Sequence, residues 1–150
     1  MPNARTNCFV DTNLLIYSID PQNAERRQVA GALLTSLANT DTLVLSPQSL
    51  NECYRVLTER RGLLPRAAAR AYIIYLNRFC TAPYDFDVTQ HAWQIQDRHG
   101  FSWWDCVLLA SASRAGCSVF FSEDLQHGRR VEGLTIINPF QTGSDYTFTN

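Results

Sequence analysis

Residues 9–17 read FVDTNLLIY, and the order of polar and apolar groups in this stretch decides how the rest of the chain is arranged. Cys8, Phe9 and Val10 have the character of a short buried strand, Asp11, Thr12 and Asn13 interrupt it, and Leu14 to Tyr17 begin a second apolar run. An ionised carboxylate at the edge of a hydrophobic core is costly unless something pairs with it. Asp11 therefore needs a partner from elsewhere in the chain.

Four more strand-like runs follow, at 43–45, 82–87 (the weakest), 118–121 and 134–137, with helical patterns between them. Residues 25–37 place Val29, Leu33, Leu34 and Leu37 on one stripe. Residues 47–61 begin with Ser46 as N-cap and Pro47 in the first turn, and stop at Gly62. Residues 65–79 set Tyr72, Tyr75, Leu76 and Phe79 at i, i+3, i+4 and i+7, an aromatic face expected to be buried in the domain or against a partner chain. Helices over 89–98 and 103–115 complete the series, the last closed by Gly116. Strands alternating with helices predict an α/β fold with a mostly parallel sheet, since each parallel return needs a crossover. In such sheets the ligand crevice lies at the carboxyl ends of the strands. No linker or repeat divides the chain, so residues 1–140 are expected to form one domain and residues 141–150, QTGSDYTFTN, a loose, flexible tail.

Composition narrows the chemistry. A chain of 150 residues, 45% hydrophobic and 18% charged, supports one sizeable core. Its apolar runs are broken well before the roughly 20 residues of a membrane span, and Met1 to Arg5 open no signal peptide, so a cytoplasmic protein without membrane contact is expected. Cys8, Cys53, Cys80, Cys106 and Cys117 are odd in number, widely spaced and set in apolar surroundings, which fits reduced core thiols. The net charge of -1 offers no bulk attraction to nucleic acid, so a polyanion must be held locally. All 13 basic residues are arginine, and the missing lysine rules against a Walker A loop, a Schiff-base enzyme or a receiver domain with its usual lysine.

Four acids stand at positions a parallel sheet would bring to one edge. Asp11 follows its strand directly, and in FFSEDL the strand ending at Phe121 is followed by Ser122, Glu123 and Asp124. Glu52 lies in the second turn of the helix after LVLSPQS, and Asp105 in the first turn of the helix opened by FSWWDCVLLASA. Each acid also has an ordinary explanation. Ser102 to Asp105 looks like a capping box. Glu52 is spaced to pair with Arg55 on a solvated face, and Asp124 suits a turn. Against this, Leu109 and Ala112 turn Asp105 toward the buried side of its helix. Carboxylates gathered in one partly buried site repel one another unless a cation takes up their charge, and oxygen ligands of this kind suit Mg²⁺ or Mn²⁺. A metal-bound water is then a better nucleophile toward a phosphodiester.

VDTN near the start, the helical Glu of SPQSLNE, SxxD at Ser102 to Asp105 and SED at Ser122 to Asp124 together resemble the PIN-domain family, and their order and spacing are similar to the VapC-type toxin ribonucleases of toxin–antitoxin pairs. The resemblance covers about 7–140. It implies a three-layer α/β/α sandwich with a mostly parallel central sheet, a Mg²⁺- or Mn²⁺-dependent endoribonuclease, a homodimer, and a cognate antitoxin that blocks the site. By motif match, Asp11, Glu52, Asp105 and Asp124 would be the catalytic and metal-binding acids, with Asn13 and Ser122 as supporting polar residues. Ser122 replaces the threonine often found there and keeps the hydroxyl.

Other residues are candidates for RNA contact. Trp103 and Trp104 are placed to stack an unpaired base, with one of them expected in the core. His127, Arg129 and Arg130 follow the Asp124 motif and are placed to approach RNA or its phosphates, and Arg26-Arg27 and Arg60-Arg61 are further phosphate candidates that also read as solvated helix ends. His91 and His99 read as helix-surface residues, and no HExxH pattern points to zinc hydrolysis. Two rivals share the fold: a DNA-directed nuclease, and a silent module that binds RNA or protein only. A phosphatase or receiver-like domain is disfavoured by the absence of lysine and by DTN in place of DxD.

Overall fold

A computed structural model describes residues 5–142 of the chain, Thr142 by its backbone alone. Its strands are β1 (Cys8–Val10), β2 (Leu43–Val44), β3 (Val119–Phe121), β4 (Arg130–Val131) and β5 (Leu134–Ile137). Its α-helices are α1 (Thr12–Tyr17), α2 (Ala24–Asn39), α3 (Pro47–Arg55), α4 (Arg66–Leu76), α5 (Phe86–His99), α6 (Trp103–Arg114) and α7 (Pro139–Thr142). The sheet order is β2-β1-β3-β5-β4, parallel throughout except for the antiparallel β4–β5 pair, as the alternation of strands and helices predicts.

Residue alternation along the short strands divides the core in two. Cys8, Val10, Val119, Phe121 and Ile137 join Leu14, Leu33, Leu57 and Leu76 under the layer of α1 to α4. Phe9, Phe120, Leu134 and Ile136 pack against α5 and α6 on the other face, and the rings of Phe9 and Phe120 stack at 5.3 Å. The register Phe9↔Phe120 and Val10↔Phe121 makes β1 and β3 end together. One connection leaves β1 toward β2 while the chain returns on the other side as β3, so the gap beyond these two strands is the switch point of the sheet. All five cysteines are free, and four of them are buried.

Local chemistry explains where the expectations hold and where they fail. Ser46 and Ser49 form the capping box that starts α3, as the Ser-Pro signal indicates. The single helix expected over 47–61 changes register instead: Val56–Arg60 form a π-helical turn, and the N–H of Arg61 donates to the carbonyl of Val56 at 2.9 Å. The strand expected at 82–87 is absent. The Asp85 carboxylate accepts from the Val88 N–H at 3.1 Å and starts α5 earlier than the predicted residue 89, while only a bridge between Leu45 and Cys80 extends the sheet beside β2.

Tyr75 is 48% exposed although Leu76 and Phe79 beside it are buried, so the aromatic face of α4 is covered only in part. His91 and His99 are not solvated surface residues, because both lie against Glu132, at 3.3 and 3.8 Å. Of the expected tail, Gln141 and Thr142 close α7, and 143–150 lie outside the described residues.

Candidate active site at the carboxyl edge of the sheet

Asp11 is the N-cap of α1 and is 7% exposed. Its Oδ1 accepts from the Thr12 N–H at 2.7 Å, and its Oδ2 accepts from the Ser122 hydroxyl at 3.0 Å. Ser122 is itself fully buried, and its Oγ accepts from the N–H groups of Asp124 and Leu125. The turn after β3 is thus tied to the end of β1 through one hydroxyl. Burial raises the Asp11 carboxyl to about 7; the bonds from Ser122 and Thr12 oppose the rise, and the charges of Asp105 and Asp124 add to it.

The remaining residues of DTN each hold another segment. The Thr12 hydroxyl donates to Glu52 Oε2 at 3.2 Å, and Asn13 Nδ2 donates to Asp124 Oδ2 at 2.7 Å. Gln48, one turn before Glu52 on α3, donates to Glu52 Oε1 at 3.0 Å. Ser102 occupies the N-cap position of α6 but makes no side-chain cap bond; its hydroxyl donates to Asp105 Oδ2 at 2.8 Å, so the expected capping box is a carboxylate support instead. Nor does Glu52 pair with Arg55, whose Nε lies 3.9 Å from Glu59.

Asp11, Glu52, Asp105 and Asp124 line one cavity of about 590 Å³, together with Asn13, Gln48, Arg55, Arg60, Tyr84 and Trp104. As their side chains stand, no three acid, histidine or cysteine groups among the described residues meet closely enough to hold one ion. The chemistry of the donors nevertheless suits a hard divalent cation: the acids are oxygen ligands, two of them raise the pKa of the third, and each is oriented by a neutral donor. The Oε1 of Gln48, at the edge of the same cavity, is buried without a partner among the described residues.

Glu123 stays out of this group. Its carboxylate pairs with Arg26, whose guanidinium lies 4.6 Å from the ring centroid of Phe140. Trp104 is 57% exposed at the cavity rim, whereas Trp103 packs against the core of α5 and α6. His127, Arg129 and Arg130 do not line the cavity. The Nδ1 of His127 accepts from the Asn138 N–H at 3.0 Å, and Arg129 sits 4.4 Å over the Phe101 ring and donates to His99. Arg130 is exposed on β4.

Thr12, Gln48 and Tyr84 were not singled out by sequence reasoning, Arg55 was read only as a partner for Glu52, and Arg60 only, together with Arg61, as a phosphate contact at a helix end. Thr12 lies inside DTN and Gln48 precedes Glu52 by i, i+4, so both carried a signal. Arg60 reaches the cavity from the π turn, which no sequence pattern announced.

A family model described as PIN domain matches residues 8–132. No curated protein matches the chain. Among solved structures, a chain of the VapBC2 complex from Rickettsia felis, bound to a DNA fragment from its promoter, superposes with a TM-score of 0.63 at 14% identity, over 87% of this chain and 97% of that one. Mycobacterium tuberculosis VapC20, a sarcin-ricin loop cleaving toxin, superposes with a TM-score of 0.58 at 24% identity, over 79% of this chain and 92% of that one. At these identities the likeness is one of fold.

Proposed function

The chain belongs to the PIN domain family, and from that premise we propose that it is a Mg²⁺- or Mn²⁺-dependent endoribonuclease toxin whose acid cavity hydrolyses RNA phosphodiester bonds and which a cognate antitoxin neutralises. The observation that carries the reading is the division of labour within DTN. Asp11 is tied to the turn after β3, Thr12 holds the Glu52 of α3, and Asn13 holds Asp124. Three consecutive residues therefore organise acids from separate parts of the chain on one cavity, more machinery than a structural cap requires.

In this reading Asp11, Glu52, Asp105 and Asp124 hold the cation, and Asn13, Ser122, Ser102, Thr12 and Gln48 orient their carboxylates. When bound, the cation supplies charge neutralisation at the phosphate and a more acidic water. Arg55 and Arg60, on the same cavity, are suited to neighbouring phosphates of the chain being cut. Burial and the charges of Asp105 and Asp124 raise the Asp11 carboxyl in the metal-free protein, a charge cost that a bound cation would relieve.

The fold likeness to VapBC2 and to VapC20 supports assigning an antitoxin partner and RNA as substrate, and a homodimer is the assembly proposed. Residues 1–140 are taken as the PIN domain. No helix among the described residues is long and apolar enough to cross a membrane, and a cytoplasmic location is proposed together with the toxin reading.

The test is cleavage of RNA and DNA of the same sequence by the purified protein with Mg²⁺, with Mn²⁺ and with EDTA, beside Asp11→Asn. RNA cut only with the divalent ion and not by Asp11→Asn is the expected result. Preference for DNA would move the assignment to a DNA-directed nuclease, and binding without cleavage under any condition would make the chain a silent module.

A further inference from the structure

Of the six large apolar side chains that stand most exposed among the described residues, four cluster beside the acid cavity: Phe86 at 63%, Trp104 at 57%, and Tyr84 and Trp93 at 48% each. A lone exposed apolar residue needs no explanation, whereas a contiguous aromatic patch marks a surface that meets something. Tyr84, Phe86, Trp103 and Trp104 line a groove of about 410 Å³, and Trp93 sits edge-on to Phe86 at 5.9 Å between ring centroids. Tyr84 and Trp104 line both this groove and the acid cavity, so the two are continuous.

We infer that this groove is a stacking site for unpaired RNA nucleotides flanking the bond to be cut, which rests on the nuclease reading above and adds Tyr84, Phe86 and Trp104, outside the acid set, as residues that hold the substrate. The distribution of charge selects the occupant. Arg55 and Arg60 line the acid cavity, where phosphates must lie. Residues five apart on a regular α-helix point about 140° away from each other. The π turn at Val56–Arg60 alters that offset, and both guanidinium-bearing side chains line the same cavity. The groove itself has no basic residue in its lining, and the Asp85 carboxylate there is spent on capping α5.

A surface of exposed aromatic side chains with no basic residue in its lining suits bases rather than the sugar–phosphate backbone. A duplex keeps its bases paired and turned inward, so only unpaired nucleotides present a face to stack. The path that results runs from phosphates on the arginines, across the acids, to bases on Trp104, Tyr84 and Phe86.

The experiment titrates the full chain carrying Asp11→Asn, in EDTA, with a labelled unpaired RNA oligonucleotide and with a duplex of the same sequence, following anisotropy and tryptophan emission. Unpaired RNA should quench the tryptophan emission. Adding Phe86→Ala or Trp104→Leu should weaken its binding about tenfold, in line with the loss of one stacked base, while Trp104→Phe keeps most of the affinity. Binding of the duplex should change little.

Unchanged affinity for unpaired RNA in both variants, an equal loss for the duplex, or no binding of unpaired RNA at all would each overturn the inference. So would light scattering in which Phe86→Ala turns a dimer into a monomer with RNA affinity intact, since the groove would then be a contact between copies of the chain. If unpaired RNA binds as expected but the unsubstituted protein never cuts it, the nuclease reading fails and the groove stands.

Discussion

Asn13 donates to Asp124 at 2.7 Å across 111 residues of chain, joining the first turn of α1 to the turn that follows β3. Asp124 has no other side chain fixing its carboxylate among the bonds described, so Asn13 sets where that oxygen points. Asn13→Ala is expected to lower RNA cleavage by about 10- to 100-fold, the usual effect of removing a residue that orients a metal ligand. Isothermal titration with Mn²⁺ should show a parallel loss of metal affinity. Unaltered cleavage and unaltered Mn²⁺ binding would remove Asn13 from the site.

Asp11 should trade stability for function. Burial first, with Asp105 and Asp124 adding to it, raises its carboxyl from 3.8 to about 7, against the bonds from Ser122 and Thr12. In the unfolded chain the group titrates near ~4, so the folded protein holds the extra proton between those limits and the metal-free protein loses stability as pH rises through that window. Asp11→Asn should therefore melt about 2–4 °C higher per kcal/mol recovered, in EDTA at about pH 8. Mg²⁺ should stabilise the unsubstituted protein alone, by binding its folded state. Equal melting points, or Mg²⁺ raising both proteins alike, would contradict this.

Glu132 carries a pH dependence of the opposite sign. Burial pushes its carboxyl up, but the bonds from His91 and Arg98 outweigh that and hold it below the ordinary glutamate range. Its contribution is present above the unfolded value of about 4.3 and is lost as pH falls through the lower folded value. Glu132→Gln should cost about 1 kcal/mol near neutrality, given that Arg98 is largely exposed, and nothing in strong acid. Urea midpoints from about pH 3 to about pH 7 for both proteins should converge at the acid end.

Ser111 lies on α6 with no accessible surface, and its hydroxyl has no hydrogen-bond partner among the described residues. Ser111→Ala removes an unpaired donor from the core and substitutes a better helix former, so a gain of about 1 kcal/mol is expected. Thermal unfolding reads it directly, and a lower melting point would mean that the hydroxyl is paired after all.

The sheet and the acids were legible in the sequence for one reason: in a parallel sheet every strand end and every following helix start emerge at the same edge. Reading Asp11, Glu52, Asp105 and Asp124 in chain order was enough to place them on one cavity. Their supports were less visible, because hydrogen bonds such as Thr12 to Glu52 depend on the angle between α1 and α3 rather than on spacing along the chain. Residues 82–87 misled by alternation: Ala82 is buried and Tyr84 and Phe86 are exposed, so the pattern of a strand arises from a loop and the first residue of α5, which turn their rings outward.

β4 escaped notice because it is two residues long and joined to β5 by Glu132 and Gly133, both in the left-handed region at φ 52° and 82°. Such a turn is usually announced by Asn-Gly or Asp-Gly, and here a glutamate holds the first position. The π turn had no signal at all, so Arg60 was legible as a phosphate candidate but not as a residue on the acid cavity.

β3 lies between β1 and β5, which gives the order of biosynthesis a consequence for the cell. While a ribosome is still making the chain, β1 lacks its neighbour, the Asp11 carboxylate has no Ser122 hydroxyl to meet, and Asn13 has no Asp124 to hold. A chain that ends before Ser122 therefore cannot assemble the proposed site, which is completed only once residues 122–124 have been made.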